Sequence, residues 1–238
     1  MWEKEDINPV EFETLYACFR ASITKFDCGE KCAPYNENGV PFCCDPHHAV
    51  PTLYNEEWVY LQNSSDLWHL WQGENEGETV RLKEQTPDGQ VLAGCAGADA
   101  CQRSYRSITC RAFPFFPYIT DQGMFIGLSY YWEYEDRCWV LSNLNQVTPT
   151  YVQEFVDLYD ELFEHKPSEK ENFRNFSSLM GRIFRRGNRA IPLLHRRGGF
   201  YKITPKNGRM RKVSMEHLPG FGPYKIAKYL PFPDEQDE

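Results

Sequence analysis

The stretch "FDCGEKCAPYNENGVPFCC", Phe26 to Cys44, carries four cysteines, two prolines, two glycines and a pair of adjacent thiols, Cys43 and Cys44. It offers few apolar side chains to bury. From Cys28 to Val50 the chain therefore reads as a loop held by something other than hydrophobic packing. A disulfide between neighbouring residues closes a strained ring, because ordinary bridge geometry cannot be met at that separation. Cys43 and Cys44 must face different partners, or one shared partner that is not a sulfur. His47 and His48 follow within four residues. They are either the nitrogen half of a mixed Cys/His site or plain surface loop.

Eight cysteines make one group: Cys28, Cys32, Cys43, Cys44, Cys95, Cys101, Cys110 and Cys138. The ninth, Cys18, stands apart and reads as a small buried hydrophobe. The N-terminal "MWEKEDINPVEF" has charges where a signal peptide needs an apolar run. No stretch nears the ~20 apolar residues of a membrane span. The expectation is a soluble, cytoplasmic protein without membrane contact, in which clustered cysteines are metal ligands or reactive thiols rather than a disulfide framework. Eight sulfurs suit two four-thiolate sites, or one polynuclear cluster with spare ligands. Soft thiolates select zinc, copper(I) or iron–sulfur over hard cations. Spacing does not separate zinc from iron, and only Cys28-x3-Cys32 has the spacing of a generic zinc knuckle.

The pattern "FDCGEKC", then "FCC", "GC" and "CQRSYRSITCRAFPF", with a later isolated cysteine, resembles the YkgJ-like cysteine-cluster family, described as zinc- or iron-chelating. Cys101, Tyr105, Arg106, Cys110, Arg111, Phe113 and Pro114 carry the most specific part of the likeness. The chain departs from the family in the ten residues between Cys32 and Cys43, and in Ser107, where a proline is usual. The resemblance spans Phe26 to about Trp139. It implies metal binding, and no established reaction for most members; with the eight cysteines as thiolate ligands, the expected cofactor is zinc or an iron–sulfur (4Fe–4S) cluster. Arg111 then reads either as a donor to a metal-bound thiolate or as half of a salt bridge. His69, in "DLWHLW", reads as a core or interface residue rather than a ligand.

Around this group the sequence predicts a mixed α+β fold. Asn8, Pro9 and Glu11 open a helix running to about Ile23, with Phe12, Leu15, Tyr16 and Phe19 on its buried face. "LYNEEWVYLQ" is a short helix with Tyr54, Trp58 and Leu61 inward. "TVRLKEQTPDGQVLAGC" reads as two strands about a Pro-Asp-Gly turn, and "FPYITDQGMFIGLSYYW" as a hairpin turning at Asp121 to Gly123. Thr148 and Pro149 start a helix striped by Val152, Phe155, Val156, Tyr159, Leu162 and Phe163. A second, from Ser168 to about Gly187, carries Phe173, Phe176, Met180, Ile183 and Phe184. Asn207-Gly208 marks a last hairpin in "FYKITPKNGRMRKV". Residues 1–166 are read as a cysteine-cluster metal-binding domain with packing helices, and 167–238 as a basic appendage.

The net charge of −8 is unevenly spread: residues 181–229 hold 13 Lys and Arg against one acid, Glu216. Such a stretch either lies on the acidic remainder or meets a polyanion, nucleic acid or an acidic protein. "LPGFGPYKIAKYL" resembles the hairpin of a helix-hairpin-helix DNA-binding motif at Leu218, Gly220, Phe221, Gly222, Ala227 and Leu230, with Lys225 and Lys228 adding charge. The favoured reading of this element is structural. No nucleophile elbow, phosphate-binding loop or His-Glu-x2-His helix is present, so the sequence names no catalytic set.

Overall fold

The α-helices form where the periodicity is longest. In the computed structural model, which describes residues 9–224, α1 spans Pro9–Cys18. Phe12, Leu15, Tyr16 and, just past its end, Phe19 are buried, as the spacing predicts. The expected cap, Asn8, lies outside the described residues. A short α2 (Gly29–Cys32) and 3-10 turns at Ala33–Tyr35 and Phe42–Cys44 give the cysteine loop more local structure than its composition suggests. Strand β1 (Thr52–Tyr54) leads into α3 (Asn55–Ser64), which buries Leu61 and, unexpectedly, Glu57.

The predicted strand pair around Pro87-Asp88-Gly89 is half wrong. After β2 (Trp68–Leu70), residues Glu76–Gln85 form helix α4, and only Gln90–Cys95 is a strand, β3. The Asn75 side chain accepts from Glu78 N–H at 2.9 Å, capping a run of good helix formers. The cap lies upstream of the alternating residues and decides the element. Strand β3 instead sits between β1 and β2 in an antiparallel three-stranded sheet.

Past α5 (Ile108–Ala112), the hairpin β4 (Phe115–Ile119) and β5 (Phe125–Tyr130) forms as predicted. A four-residue α6 (Trp139–Ser142) precedes α7 (Pro149–His165), whose N-cap Thr148 Oγ1 accepts from Tyr151 N–H. The α7 stripe is buried from Phe155 to Phe163, with Val152 half-buried against it. Helix α8 (Pro167–Arg186) buries Met180 and Phe184, while Ile183 stays exposed. The chain then returns through β6 (Ile191–His195), β7 (Phe200–Thr204) and β8 (Arg209–Val213) to complete an antiparallel sheet in the order β4-β5-β6-β7-β8. Alternate residues of β4 enter different cores. Phe115 and Ile119 join α1 and α7, while Phe116 and Tyr118 meet Met180 and Phe184 of α8. The fold is thus mixed helix and sheet, and among the described residues no helix is long and apolar enough to cross a membrane.

The C-terminal "PGFGP" packs on its own chain. Gly222 has φ +49°, and a Cβ there would lie 2.9 Å from the backbone of Asp136. Phe221 N–H donates to Ser142 Oγ at 2.7 Å, and buried Tyr224 donates to the Arg137 carbonyl. Lys225, Ala227, Lys228 and Leu230 lie outside the described residues.

Glu57 fastens three elements next to the cysteines. Its Oε1 accepts from Tyr16 Oη at 2.6 Å and Ile108 N–H at 2.7 Å, and its Oε2 from Tyr54 N–H. Burial pushes its carboxyl from 4.5 up to about 7, against those hydrogen bonds and Arg111. The folded protein therefore binds this proton more tightly than the unfolded chain. The stability it contributes is full below 4.5 and is lost as pH rises through about 7. Between about pH 5 and about pH 8, wild type is expected to lose more thermal stability than Glu57→Gln, by up to about 3 kcal/mol. Parallel melting-point profiles for the two proteins would refute this assignment.

Candidate metal centre

All eight clustered cysteines line one cavity of about 1160 Å³. They come from six places in the fold. Cys28 and Cys32 bracket α2, and Cys43 and Cys44 share one 3-10 turn. Cys95 ends β3, Cys101 lies in the following loop, Cys110 is in α5, and Cys138 caps α6. Cys18 is not among them. It is exposed at the end of α1 rather than buried, because it falls outside the stripe that ends at Phe19.

Each wall has a local cause. Gly29 lets the first cysteine turn lie on Pro41, since a Cβ there would come within 2.7 Å of the Pro41 ring. Asp27 Oδ1 accepts from Gly29 N–H at 2.8 Å and fixes the start of α2. Asp45, almost fully buried, accepts from Asn36 Nδ2 at 2.9 Å, Asn38 Nδ2 at 2.8 Å and His47 N–H at 3.0 Å. Burial raises its carboxyl, but the hydrogen bonds from Asn36, Asn38 and His47 prevail and hold it well below the usual range. This staple escaped the sequence reading; the Asn/Asp-rich run at 36–45 was its signal. On the opposite wall, Ser107 Oγ caps α5 by accepting from Cys110 N–H at 3.1 Å.

The histidines serve the loop. Both ring nitrogens of His47 face carboxylates, Asp45 at 2.9 Å and Glu74 at 3.1 Å. The His48 ring packs edge-on against Phe42, 4.9 Å between centroids. His69 is not a core residue; it is exposed on β2 at the cavity lining, its ring lying over Gly94, the residue opposite it in register.

Burial pushes most of these thiols up. Cys28 rises to about 11 through burial, Cys32 and Asp27, and Cys110 to about 12 through burial, with Cys95 and Cys44 adding to it. Cys138 rises through burial beside Cys28 and Cys32. Cys44 goes the other way, to about 7, because the Cys43 thiol 3.9 Å away hydrogen-bonds to it and Arg106 adds positive charge. Arg106 Nε donates to Cys101 Sγ at 3.0 Å, and its charge reaches Cys43 and Cys44.

Arg111, the candidate thiolate donor, does other work. Its guanidinium donates to the carbonyls of Tyr16, Phe19, Ser104 and Arg106 and lies 4.2 Å from the Tyr16 ring centroid. Arg106, five residues beyond Cys101, is the cation at the sulfurs.

Among the described residues, no group of three or more His, Cys, Asp or Glu side chains already stands in a metal-holding arrangement. The cavity brings the donors to one place without closing them on a point. No family model, curated protein or solved structure matches the chain.

Proposed function

We propose that this is a metal-binding protein whose eight clustered cysteines hold zinc or an iron–sulfur cluster as thiolates. The observation that carries the reading is their convergence: eight cysteines scattered over 111 positions line one cavity, and Cys18 alone does not. Buried neutral thiols give up protons at high cost, and a bound cation would supply the charge that offsets it. Arg106 on Cys101 suits the same purpose, as a donor that moderates the negative charge of a thiolate set. The donors are soft sulfurs throughout, which fits zinc or iron–sulfur and not magnesium or calcium. Closing them on a metal requires sulfurs to draw together, for which each cysteine has a single side-chain torsion. Bound zinc would act as a structural centre, and a 4Fe–4S cluster would add one-electron exchange.

The test is elemental analysis of protein made and purified without oxygen. At least one equivalent of zinc plus iron is expected, with the thiols protected from alkylation. Less than one equivalent, with every thiol reactive, overturns the proposal. A brown protein selects iron–sulfur and a colourless loaded one zinc.

The other reading makes the metal structural and gives residues 181–229 to nucleic acid. The pairing of Arg189 with Glu135 and of Arg196 with Asp160 supports instead a basic stretch lying on the acidic body. The close approach of Gly222 to Asp136, in place of a phosphate, supports the same view.

A further inference from the structure

We propose that the chain carries a phosphate site beside the cysteine cavity, formed by Lys25, Arg103 and Arg106. These residues line a second cavity, of about 370 Å³, between residues 22–28 and the segment from Arg103 to Arg111. The site is independent of bound metal, although the two cavities share Cys28, Arg106 and Cys110.

The charge in this small space is one-sided. Lys25, Arg103, Arg106 and Arg111 line it against a single carboxylate, Asp27. Cations gathered in a recess repel one another unless a counter-charge stands among them. Asp27 offsets one of the four at most, and its Oδ1 also accepts from Gly29 N–H at 2.8 Å. Among the described residues, no ion pair includes any of the four cations.

The bonds these groups do make are to uncharged partners. Arg111 gives its donors to four main-chain carbonyls, so it contributes charge to the cavity rather than a free fork. Arg103, at the start of a 3-10 turn (Arg103–Tyr105), spends Nε and Nη2 on the carbonyls of Arg20 and Ala21, just past α1. Arg106 spends Nε on Cys101 Sγ at 3.0 Å. That leaves Nη1 of Arg103, both Nη groups of Arg106 and the Lys25 ammonium for a ligand. The sulfurs do not account for the set, because Arg106 is bonded to a thiol whereas Lys25 and Arg103 are not.

The donors favour phosphate over a carboxylate. One guanidinium fork satisfies the two oxygens of a carboxylate, whereas donors from three side chains match the several oxygens of a tetrahedral anion. Four cations against one acid also suit a group that carries about −2 at neutral pH. The volume lies at the low end of ligand pockets, about 300–1,000 Å³, which fits free phosphate or the phosphate of a small ester.

The test is isothermal titration calorimetry of the full chain, as purified and under reducing conditions, with inorganic phosphate and with glycerol 3-phosphate at fixed ionic strength. One equivalent is expected to bind. Tighter binding of glycerol 3-phosphate, by about tenfold or more, identifies an ester as the ligand, and equal affinity identifies free phosphate. Arg103→Gln keeps an amide donor for the Arg20 and Ala21 carbonyls but loses the charge, and should weaken binding about tenfold. Lys25→Ala, at an exposed position, should weaken it about threefold. Lys83→Ala, exposed on α4 and outside the cavity, should leave it unchanged. Far-UV circular dichroism checks folding, and Lys25→Ala against Lys83→Ala decides the matter should Arg103→Gln fail to fold. No saturable binding at millimolar phosphate, or equal weakening by Lys25→Ala and Lys83→Ala, overturns the site. Neither result bears on metal binding, which elemental analysis decides separately.

Discussion

Protein stripped of metal is expected to be cut by protease between Lys31 and Pro51 while α7 remains intact. In that segment the buried side chains are few: Cys32, Asn36, Phe42 and Asp45. The hydrogen bonds that Asp45 accepts are worth about 1 kcal/mol each in net terms for neutral partners, and about twice that for a charged acceptor. Thiolate–metal binding contributes on the order of 10 kcal/mol where it organises a loop, and that free energy becomes local folding free energy. If chelation lowers the local opening energy by even ~3 kcal/mol, the population open to cleavage rises about a hundredfold. Helix α7 rests on far more packing than the loop does. Tyr151, Phe155, Val156, Leu158, Tyr159, Leu162 and Phe163 are all buried in the large core. Limited proteolysis with and without chelator, read by mass spectrometry, gives the cut sites directly. Equal protection in both states would mean that the Asp45 staple and ordinary packing hold the loop.

What was legible in the sequence follows the range of the interactions that decide each element. The α7 stripe and the Asn207-Gly208 turn are local patterns, and both stand in the fold. Strand β6 was missed because "IPLLH" is buried almost throughout and so has no alternation to read. Strands β1 and β2 are three residues each and exist through pairing with β3, which no window of sequence contains. The same limit governs the cavity. The cysteines were visible as a group, but that Arg106 rather than Arg111 meets a sulfur depends on where α1 ends. The Tyr16 and Phe19 carbonyls there claim the Arg111 guanidinium. Cys18 was misplaced because a residue beside a stripe can face either way, and burial is settled by the neighbouring helices.

Replacing Arg111 with alanine should cost about 4 kcal/mol of folding stability, more than any surface substitution in this chain. Its side chain is 8% exposed and makes a fan of bonds to main-chain oxygens: Nη1 to Tyr16 and Phe19, Nη2 to Ser104 at 2.7 Å, Nε to Arg106 at 2.9 Å. Tyr16 lies in the last turn of α1, where carbonyls lack intrahelical donors, and a cation there also complements the helix dipole. Truncation would leave these oxygens short of donors and expose the face of the Tyr16 ring. Each unsatisfied buried carbonyl costs about 1–3 kcal/mol, and water entering the gap recovers part of the total. Arg111→Lys should recover some of the loss, because an ammonium keeps charge and donors but cannot span four carbonyls with a planar fork. The ends of the fan also bound the cysteine cavity, since Ser104 and Arg106 lie between Cys101 and Cys110. Loss of the clamp should therefore loosen that wall, and metal bound there should leave the alanine variant faster than it leaves wild type. Urea denaturation of metal-loaded wild type, Arg111→Lys and Arg111→Ala gives the order of stabilities. A midpoint for Arg111→Ala equal to that of wild type would mean that these carbonyls find other donors, and that core packing with the Glu57–Tyr16 bond and the Arg103 bonds past its end suffices to hold α1.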